Sequence, residues 1–600
     1  MDGEIKSKRF ALPEALRRER GVLCTVGALA LAVRLVLFFG WLDSPLRYFH
    51  RVPGLDMLSL LRYGQWGDPG IHPVFTLHRT LVALIYHLNG ASHSVAALAV
   101  IQLFCGTGTA VFTAWSALRL WGSRRAALAA GAVAAFYAPA VMYELSMLQE
   151  TLLLFAFSAS FAGILLAEKL HFRRGSGWIA GVLLGLASIG RPTALLWVAA
   201  AVGWSFLVQF RRGRGNWRRV LPVVAAVFAV WIAVGGLNRC FNGGWSPFFN
   251  VVEYSATVNR IGAPAGGGDG GGGATAVPDS LGYRLFRIGL NAAGRMPMVF
   301  LAHEIPDNLN YYFIREYFPG LKFLIGPGLL IPFALAGLVL VVVTGRFLRR
   351  ESLIVLAVLT LALPISANWP MGRYRLILLL PFALLAVETV RIALRRPRRW
   401  FLPVSAVVLA GAFLVNPVRG TPFWRSSDFV AWALALEQRA GGRVTPESVG
   451  VLLEGYRLTG GEAPAMNLLI RLIMLREYAA AQRLIDDALA NRVGNASLLH
   501  YYAALLRMEQ RDPAGAEKEL AQCDPGAMED LTIKYHFLRG EAARLQGRNA
   551  EAREHFRRSL ASPDPFGFRA EVERALALPG IAGSGADAAG ANAEELRRQE

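Results

Sequence analysis

The chain has 600 residues, of which 54% are hydrophobic and 18% charged, with a mean hydropathy of +0.38. Soluble domains contain about 45–50% apolar and about 25% charged residues, so this composition predicts a polytopic membrane protein. The net charge of +20 does not indicate a nucleic-acid partner, because residues 421–600 carry 22 Lys and Arg against 25 Asp and Glu. The basic excess therefore lies in the hydrophobic part of the chain.

A helix that crosses the hydrocarbon core of a bilayer needs about 20 apolar residues. Eleven apolar runs of roughly this length predict eleven spans. They are 21–41, 95–120, 126–142, 151–167, 177–190, 192–209, 220–236, 321–345, 353–367, 376–390 and 401–416. The first run continues past its Ala-x-Ala pattern, which favours an uncleaved signal anchor over a cleaved signal peptide.

Compact basic loops between the runs predict the orientation. Positively charged loops stay on the cytoplasmic side. They are the N-terminus at 1–20 and the loops 119–125, 169–174, 211–219, 346–350 and 391–399. We therefore expect an inner, cytoplasmic membrane, with the N-terminus in the cytoplasm and a transmembrane domain at 21–416. The segments 42–94, 237–320 and 366–375, and everything after the last span, are then extracytoplasmic.

Ionisable residues near the outer ends of the spans are the candidates for chemistry, because charges at membrane depth are costly to maintain. The first outer segment contributes Asp56, Tyr63 and His72. Later segments contribute Glu144 and Glu150, then Arg191, and finally Arg373, Tyr374 and Arg375. Several of them could instead have a structural role. Asp56 could cap a helix, and the arginines could contact lipid headgroups.

The region 422–579 contains an internal repeat. Ala481, Ala516 and Ala552 are spaced 35 and 36 residues apart, and each is followed four residues later by a large apolar residue. This spacing is close to the 34-residue tetratricopeptide (TPR) period. It predicts a TPR-like α-solenoid that presents a surface to a protein partner, with a helical-hairpin array of another kind as the alternative. The tail at 580–600 is predicted to be disordered.

The first outer segment, Asp56 to Pro73 followed by an amphipathic stretch, resembles the GT-C glycosyltransferases, specifically the bacterial protein-O-mannosyltransferase-like group. Tyr143-Glu144 with Glu150, Arg191-Pro192-Thr193 and Arg373-Tyr374-Arg375 are similar to that group's later landmarks. The resemblance covers about residues 20–390. The sequence departs from the group's stricter pattern because Met57, not an acid, follows Asp56.

The resemblance implies an all-α GT-C-like bundle that transfers a sugar from a polyprenyl-phosphate carrier, with inversion, to a protein, lipid or polysaccharide acceptor on the outer face. Asp56 would be the general base. Arg191, Arg373 and Arg375 would bind the donor phosphate. The remaining candidates would position the sugar or the acceptor: Tyr63, His72, Glu144, Glu150 and Tyr374.

Two other functions stay open at this point. An O-antigen-ligase-like enzyme would depend on the second outer segment, which holds Arg260, Arg295, His303, Glu304 and Arg315. A transporter or scaffold would use the TPR-like region to bind partners. The sequence assigns no cofactor and no metal ligand, and leaves a divalent cation open.

Overall fold

The structure is a computed structural model that describes residues 14–58, 76–191, 194–213, 216–242, 281–368, 370–395, 397–416, 424–564 and 567–581. The chain divides into two compact units, 1–423 and 424–600. Within the described residues both units are built from helices, and the β-structure there is a single bridge between Tyr137 and Ile325. The predicted all-α class is therefore confirmed for this part of the chain.

The helices of the first unit follow the predicted apolar runs closely. In chain order they are α1 (Glu14–Leu42), α2 (Thr76–Trp121), α3 (Arg124–Phe136), α4 (Ala138–Glu144), α5 (Glu150–Lys169), α6 (Arg174–Gly190), α7 (Leu195–Arg212), α8 (Leu221–Asn242), α9 (Leu281–Val299), α10 (Tyr311–Tyr317), α11 (Pro327–Val343), α12 (Ser352–Ala367), α13 (Gly372–Arg375), α14 (Leu379–Arg395) and α15 (Pro397–Val415).

Six helical segments in the described residues are long and apolar enough to cross a membrane: 19–42, 94–121, 150–169, 216–237, 372–395 and 397–415. Three more apolar helices are shorter, at 175–190, 327–343 and 352–367. The chain therefore has the helices of a multi-pass membrane protein. The count of eleven spans and their orientation stay predictions.

The predicted span 126–142 is not one continuous helix, because the chain breaks at Tyr137 between α3 and α4. Pro139 lacks the N–H that a continuing helix would donate to the carbonyl of Ala135. Arg34 of α1 donates to that carbonyl instead, at 3.3 Å. A side chain of a neighbouring helix thus satisfies a backbone group that would be costly to leave unpaired in a membrane.

The second unit is a succession of short helices. They are α16 (Ser426–Arg439), α17 (Pro446–Thr459), α18 (Glu462–Met474), α19 (Tyr478–Ala490), α20 (Ala496–Glu509), α21 (Pro513–Leu520), α22 (Thr532–Leu545), α23 (Asn549–Ala561) and α24 (Arg569–Leu576). The three repeat alanines are fully buried, each with its large partner: Ala481 with Ile485, Ala516 with Leu520, and Ala552 with Phe556.

Candidate functional site

Asp56 lies in the first predicted outer segment, of which residues 42–58 are described before residue 59. It begins a helical turn there. Its carboxylate accepts hydrogen bonds from Asn308 Nδ2 at 2.6 Å and from Arg373 at 2.7 Å. The backbone N–H of Asp56 donates to Asn308 Oδ1 at 3.2 Å. About half of the Asp56 side chain (52%) is exposed, so the carboxylate is held on one side and open on the other.

Arg373 connects two carboxylates. One terminal nitrogen donates to Asp56, and Nε pairs with Asp307. The second terminal nitrogen donates to the hydroxyl of Tyr374 at 2.9 Å. The Arg373 side chain is mostly buried, with 14% exposed. Since a guanidinium carries five N–H groups, these contacts leave two terminal hydrogens of Arg373 without an acceptor among the described residues.

Arg191 and Arg373 both lie against the ring of Tyr374. Their guanidinium carbons are 4.3 and 4.8 Å from the ring centroid, which is within cation–π range. Arg191 is the extended residue at the end of α6, and its side chain donates to Glu150 at 2.5 Å. Glu150 is the first residue of α5, where the helix dipole favours a carboxylate. Two arginines and two helix ends therefore meet around one aromatic ring.

A second layer lies behind these residues. Glu304 accepts from Arg375 at 3.0 Å and from the hydroxyl of Tyr137 at 3.2 Å. Arg375 also donates to the carbonyls of Met298, Leu301 and His303. Its two terminal nitrogens thus have four acceptors, and the side chain is 4% exposed. Arg375 thus holds the loop that carries Glu304, with its four terminal hydrogens directed at these acceptors. Its predicted role in binding the donor phosphate stays a prediction.

The predicted site residues fall into four groups. Asp56, Glu150, Arg191, Arg373 and Tyr374 form one contact cluster, which we call the outer cluster together with Asp307 and Asn308. Arg375 lies in the layer behind it. The structure does not bring Glu144 into these contacts, because its carboxylate pairs with Arg34, and both side chains are only 2–3% exposed. Tyr63 and His72 lie outside the described residues.

Asp307 and Asn308 are functional candidates that the sequence reasoning missed. They follow Pro306 in the loop between α9 and α10, in the second predicted outer segment. A Pro-Asp-Asn sequence is typical of a turn. Asp307 and Asn308 are therefore easily interpreted as turn residues and not as residues of a site. Their position in the sequence could have identified them, because this turn lies in the same predicted outer segment as Glu304.

Two tyrosines and a histidine flank the second layer. The rings of His303 and Tyr312 stack with centroids 4.8 Å apart. Burial lowers the pKa of His303 and the nearby Arg375 lowers it further, while Glu304 acts in the opposite direction. Burial raises the pKa of Tyr311 to about 12. In the part of the chain that the structure describes, no group of three His, Cys, Asp or Glu side chains is arranged to hold a metal ion.

Comparison with known proteins gives little further information. No protein-family model matches the sequence, and no curated protein matches it. Among solved structures, the chain is similar to the archaeal oligosaccharyltransferase AglB from Archaeoglobus fulgidus, solved with an inhibitory peptide and a dolichol-phosphate. The TM-score is 0.33 and the identity 13%, over 73% of this chain and 56% of AglB. The chain thus spans about half the length of that protein.

Proposed function

We propose that the protein is a membrane glycosyltransferase of the GT-C kind, which moves a sugar from a polyprenyl-phosphate carrier to an acceptor on the extracytoplasmic face with inversion. The observation that carries the proposal is the pairing of a half-exposed carboxylate, Asp56, with the guanidinium of Arg373, beside which Arg191 lies. A general base and a cationic site for a leaving phosphate are the two requirements of such a transfer.

The position of the outer cluster supports a lipid-linked donor. Its residues come from three segments that the charge pattern places on one side of the membrane, and from the ends of two apolar helices, α5 and α6. A donor with an isoprenoid tail needs its phosphate at the boundary of the bilayer, where the tail lies among the helices. The open side of Asp56 leaves room for an acceptor next to that boundary.

In the proposed reaction, the acceptor hydroxyl attacks the anomeric carbon of the sugar. A bond forms between the acceptor oxygen and that carbon, and the bond from the carbon to the phosphate oxygen breaks. Asp56 takes the proton of the acceptor hydroxyl, and the electron pair of the broken bond leaves with the polyprenyl phosphate. The guanidinium groups of Arg191 and Arg373 would stabilise the negative charge that develops on the leaving oxygen.

The test replaces Asp56 by Asn in the full-length protein in its own membrane. The substitution keeps the size of the side chain and its contact with Asn308 but removes the proton acceptor. We expect loss of the glycan product and accumulation of the unused polyprenyl-phosphate sugar, both measured by mass spectrometry of lipid and envelope extracts. The matched control is Glu316→Gln, an acid-to-amide change at an exposed position outside the outer cluster.

Other outcomes distinguish the alternatives. An Asp56→Asn protein that keeps transfer activity, while His303→Ala loses it, would favour the O-antigen-ligase-like function. If both variants have unchanged amounts of polyprenyl-phosphate sugar and unchanged glycans, the protein is not a transferase. The remaining interpretation is then a transporter or scaffold.

We further propose that residues 422–579 form a TPR-like domain that binds a protein acceptor or a partner in glycan assembly. The burial of the three repeat alanines with Ile485, Leu520 and Phe556 supports the repeat assignment, because close helix packing needs a small residue at that position. Residues 422 and 423 lie outside the described part. Recovery of one defined partner by cross-linking the wild type, but not an Ala516→Leu variant with an intact first unit, would support this role.

A further inference from the structure

The first unit contains a groove far from the outer cluster, along α14. A groove of about 600 Å³ lies between α3, α11 and α14. Its walls are apolar, formed by Ala129, Val133, Leu329, Phe333, Val390 and Leu394. We call it the basic groove because three arginines, Arg125, Arg391 and Arg395, stand at one end of it.

The arginines belong to the two loops, 119–125 and 391–399, that the charge pattern places in the cytoplasm. The outer cluster begins at the opposite end of the 372–395 segment, with Arg373 about 20 residues, or roughly 30 Å of helix, away. The basic end of the groove therefore lies near the other membrane face. It cannot contribute to the chemistry proposed above.

The three arginines differ in their contacts. Arg391 is fixed by two bonds to Glu388, at 2.6 and 2.9 Å, and lies 5.0 Å from the ring centroid of Trp121. Arg125 and Arg395 are exposed, and within the described residues neither forms a hydrogen bond or an ion pair. Glu388 is fully buried and also pairs with Arg346. The groove mouth therefore carries an excess of positive charge with two guanidiniums available.

The apolar walls are long enough to contact part of a lipid acyl chain. Eight residues separate Arg125 from Val133 on α3, and nine separate Ala386 from Arg395 on α14, so the walls extend about 12–14 Å from the arginines into the membrane. A cation cluster at one end of such a groove matches an amphiphile with an anionic head and an apolar tail, and basic pockets between membrane helices on the cytoplasmic side bind anionic headgroups.

We propose that the basic groove binds one anionic phospholipid of the cytoplasmic leaflet, with its phosphate on Arg125 and Arg395 and an acyl chain between α3, α11 and α14. Arg391, held by Glu388, contributes charge beside the phosphate. The bound lipid fills the space between three helices and thereby stabilises their packing. This proposal does not depend on the proposed transferase function.

The test measures lipid binding by the purified full-length protein with native mass spectrometry, using phosphatidylglycerol and phosphatidylcholine of identical chains as probes. A basic side chain near an anionic lipid surface contributes about fivefold in affinity. We expect the Arg125→Gln/Arg395→Gln protein to bind phosphatidylglycerol about 25-fold more weakly than the wild type. Arg125→Lys/Arg395→Lys should retain most of the affinity. Phosphatidylcholine should bind weakly to every variant.

Two controls match the chemistry. Arg398→Gln/Arg399→Gln removes the same charge from the same basic loop but not from the groove, and it should leave phosphatidylglycerol binding within about twofold of the wild type. Ala129→Phe fills the groove, whereas Leu128→Phe enlarges the neighbouring exposed residue outside it. We expect Ala129→Phe alone to release the lipid.

Three outcomes would overturn the proposal. Wild-type affinity in the Arg125→Gln/Arg395→Gln protein would show that the arginines do not bind the lipid. An equal loss in both double-Gln proteins would show a diffuse charge effect. Release of a polyprenyl lipid, with retention of phosphatidylglycerol, in Ala129→Phe would show that the groove holds the carrier tail. Circular dichroism at matched protein concentration identifies a variant that has lost its helical fold. Comparison with Leu128→Phe then shows whether unfolding is specific to a phenylalanine at position 129.

Discussion

Arg373 donates to the carboxylate of Asp56 at 2.7 Å, although 317 positions separate the two residues in the sequence. Asp56 begins a turn near the first predicted span, and Arg373 stands where the chain enters the 372–395 segment. The same guanidinium pairs with Asp307 of the second predicted outer segment. One side chain therefore ties together all three predicted outer segments of the first unit.

The first prediction concerns the geometry of this guanidinium. Arg373→Lys keeps the positive charge but has one donor nitrogen, which cannot reach Asp56, Asp307 and a phosphate together. We expect transfer by isolated membranes to fall by about 100-fold, which is typical of removing one donor to a developing negative charge. Transfer is measured as product formed from labelled polyprenyl-phosphate sugar.

Arg398→Lys is the matched control, because Arg398 is exposed in the first turn of α15 and makes no contact with the outer cluster among the described residues. Equal activities of Arg373→Lys and wild type would contradict a phosphate-binding role for Arg373.

The second prediction concerns Gly372. A Cβ atom at this position would overlap Glu304 Oε2 and lie 3.4 Å from the carbonyl oxygen of Ile305. Gly372→Ala therefore displaces the Glu304 carboxylate from Arg375 and shifts the neighbouring Arg373. We expect at least a tenfold loss of transfer, since small misplacements of positioned groups reduce rates strongly.

Gly411→Ala serves as the comparison, because its added Cβ would meet atoms only at ordinary contact distances of 3.7–3.9 Å. Loss of activity in both glycine variants would point to a general packing defect and not to the site.

The third prediction concerns the ion pair between Arg34 and Glu144, whose Nε and Oε2 atoms are 2.7 Å apart and buried. Arg34→Met leaves the Glu144 carboxylate without its partner, and breaking a buried pair in this way costs about 3–5 kcal/mol. We expect a clear drop in the thermal unfolding midpoint of the detergent-solubilised protein.

Arg34→Met/Glu144→Gln removes both charges, so it should recover much of the lost stability. A double variant no more stable than Arg34→Met would mean that the carboxylate itself is not the cause.

The fourth prediction concerns the pH dependence of the α22–α23 pair. The rings of His536 and His555 lie 6.1 Å apart. Burial lowers the pKa of His536 to about 4, and the neighbouring His555, Arg558 and Arg539 add to this effect. Burial likewise lowers the pKa of His555. The unfolded state therefore binds more protons than the folded state between pH 6.5 and about 4.

The stability of this pair should therefore be complete above pH 6.5 and fall as the pH decreases toward about 4. Hydrogen exchange of residues 532–561 in the full chain, corrected for the intrinsic rate, measures this slope. His536→Gln/His555→Gln should flatten it. His500→Gln should not, because His500 contacts Glu519 elsewhere in the unit at 2.8 Å. A slope that survives the double variant would contradict the assignment.

The sequence predicted the helical class and the positions of most apolar helices, because the length of an apolar run is a local property that a bilayer selects directly. The repeat alanines were equally visible, since a small residue and a large one four positions later lie on one helical face. Five of the nine predicted site residues meet in the outer cluster. Their position in predicted outer segments was the common signal in the sequence, but Glu144 and Arg375 shared it and lie elsewhere.

Only the tertiary structure decided which carboxylate pairs with which arginine. Glu144 and Glu150 look alike in the sequence, six residues apart in one loop, yet Glu144 pairs with Arg34 and Glu150 with Arg191. Likewise Arg373 contacts Asp56, Asp307 and Tyr374, whereas Arg375, two residues later, gives its terminal nitrogens to Glu304 and three backbone carbonyls. Composition and hydropathy determine which segments enter the membrane. The partner of a charged side chain depends instead on how helices from distant segments pack together, and no local sequence pattern predicts this packing.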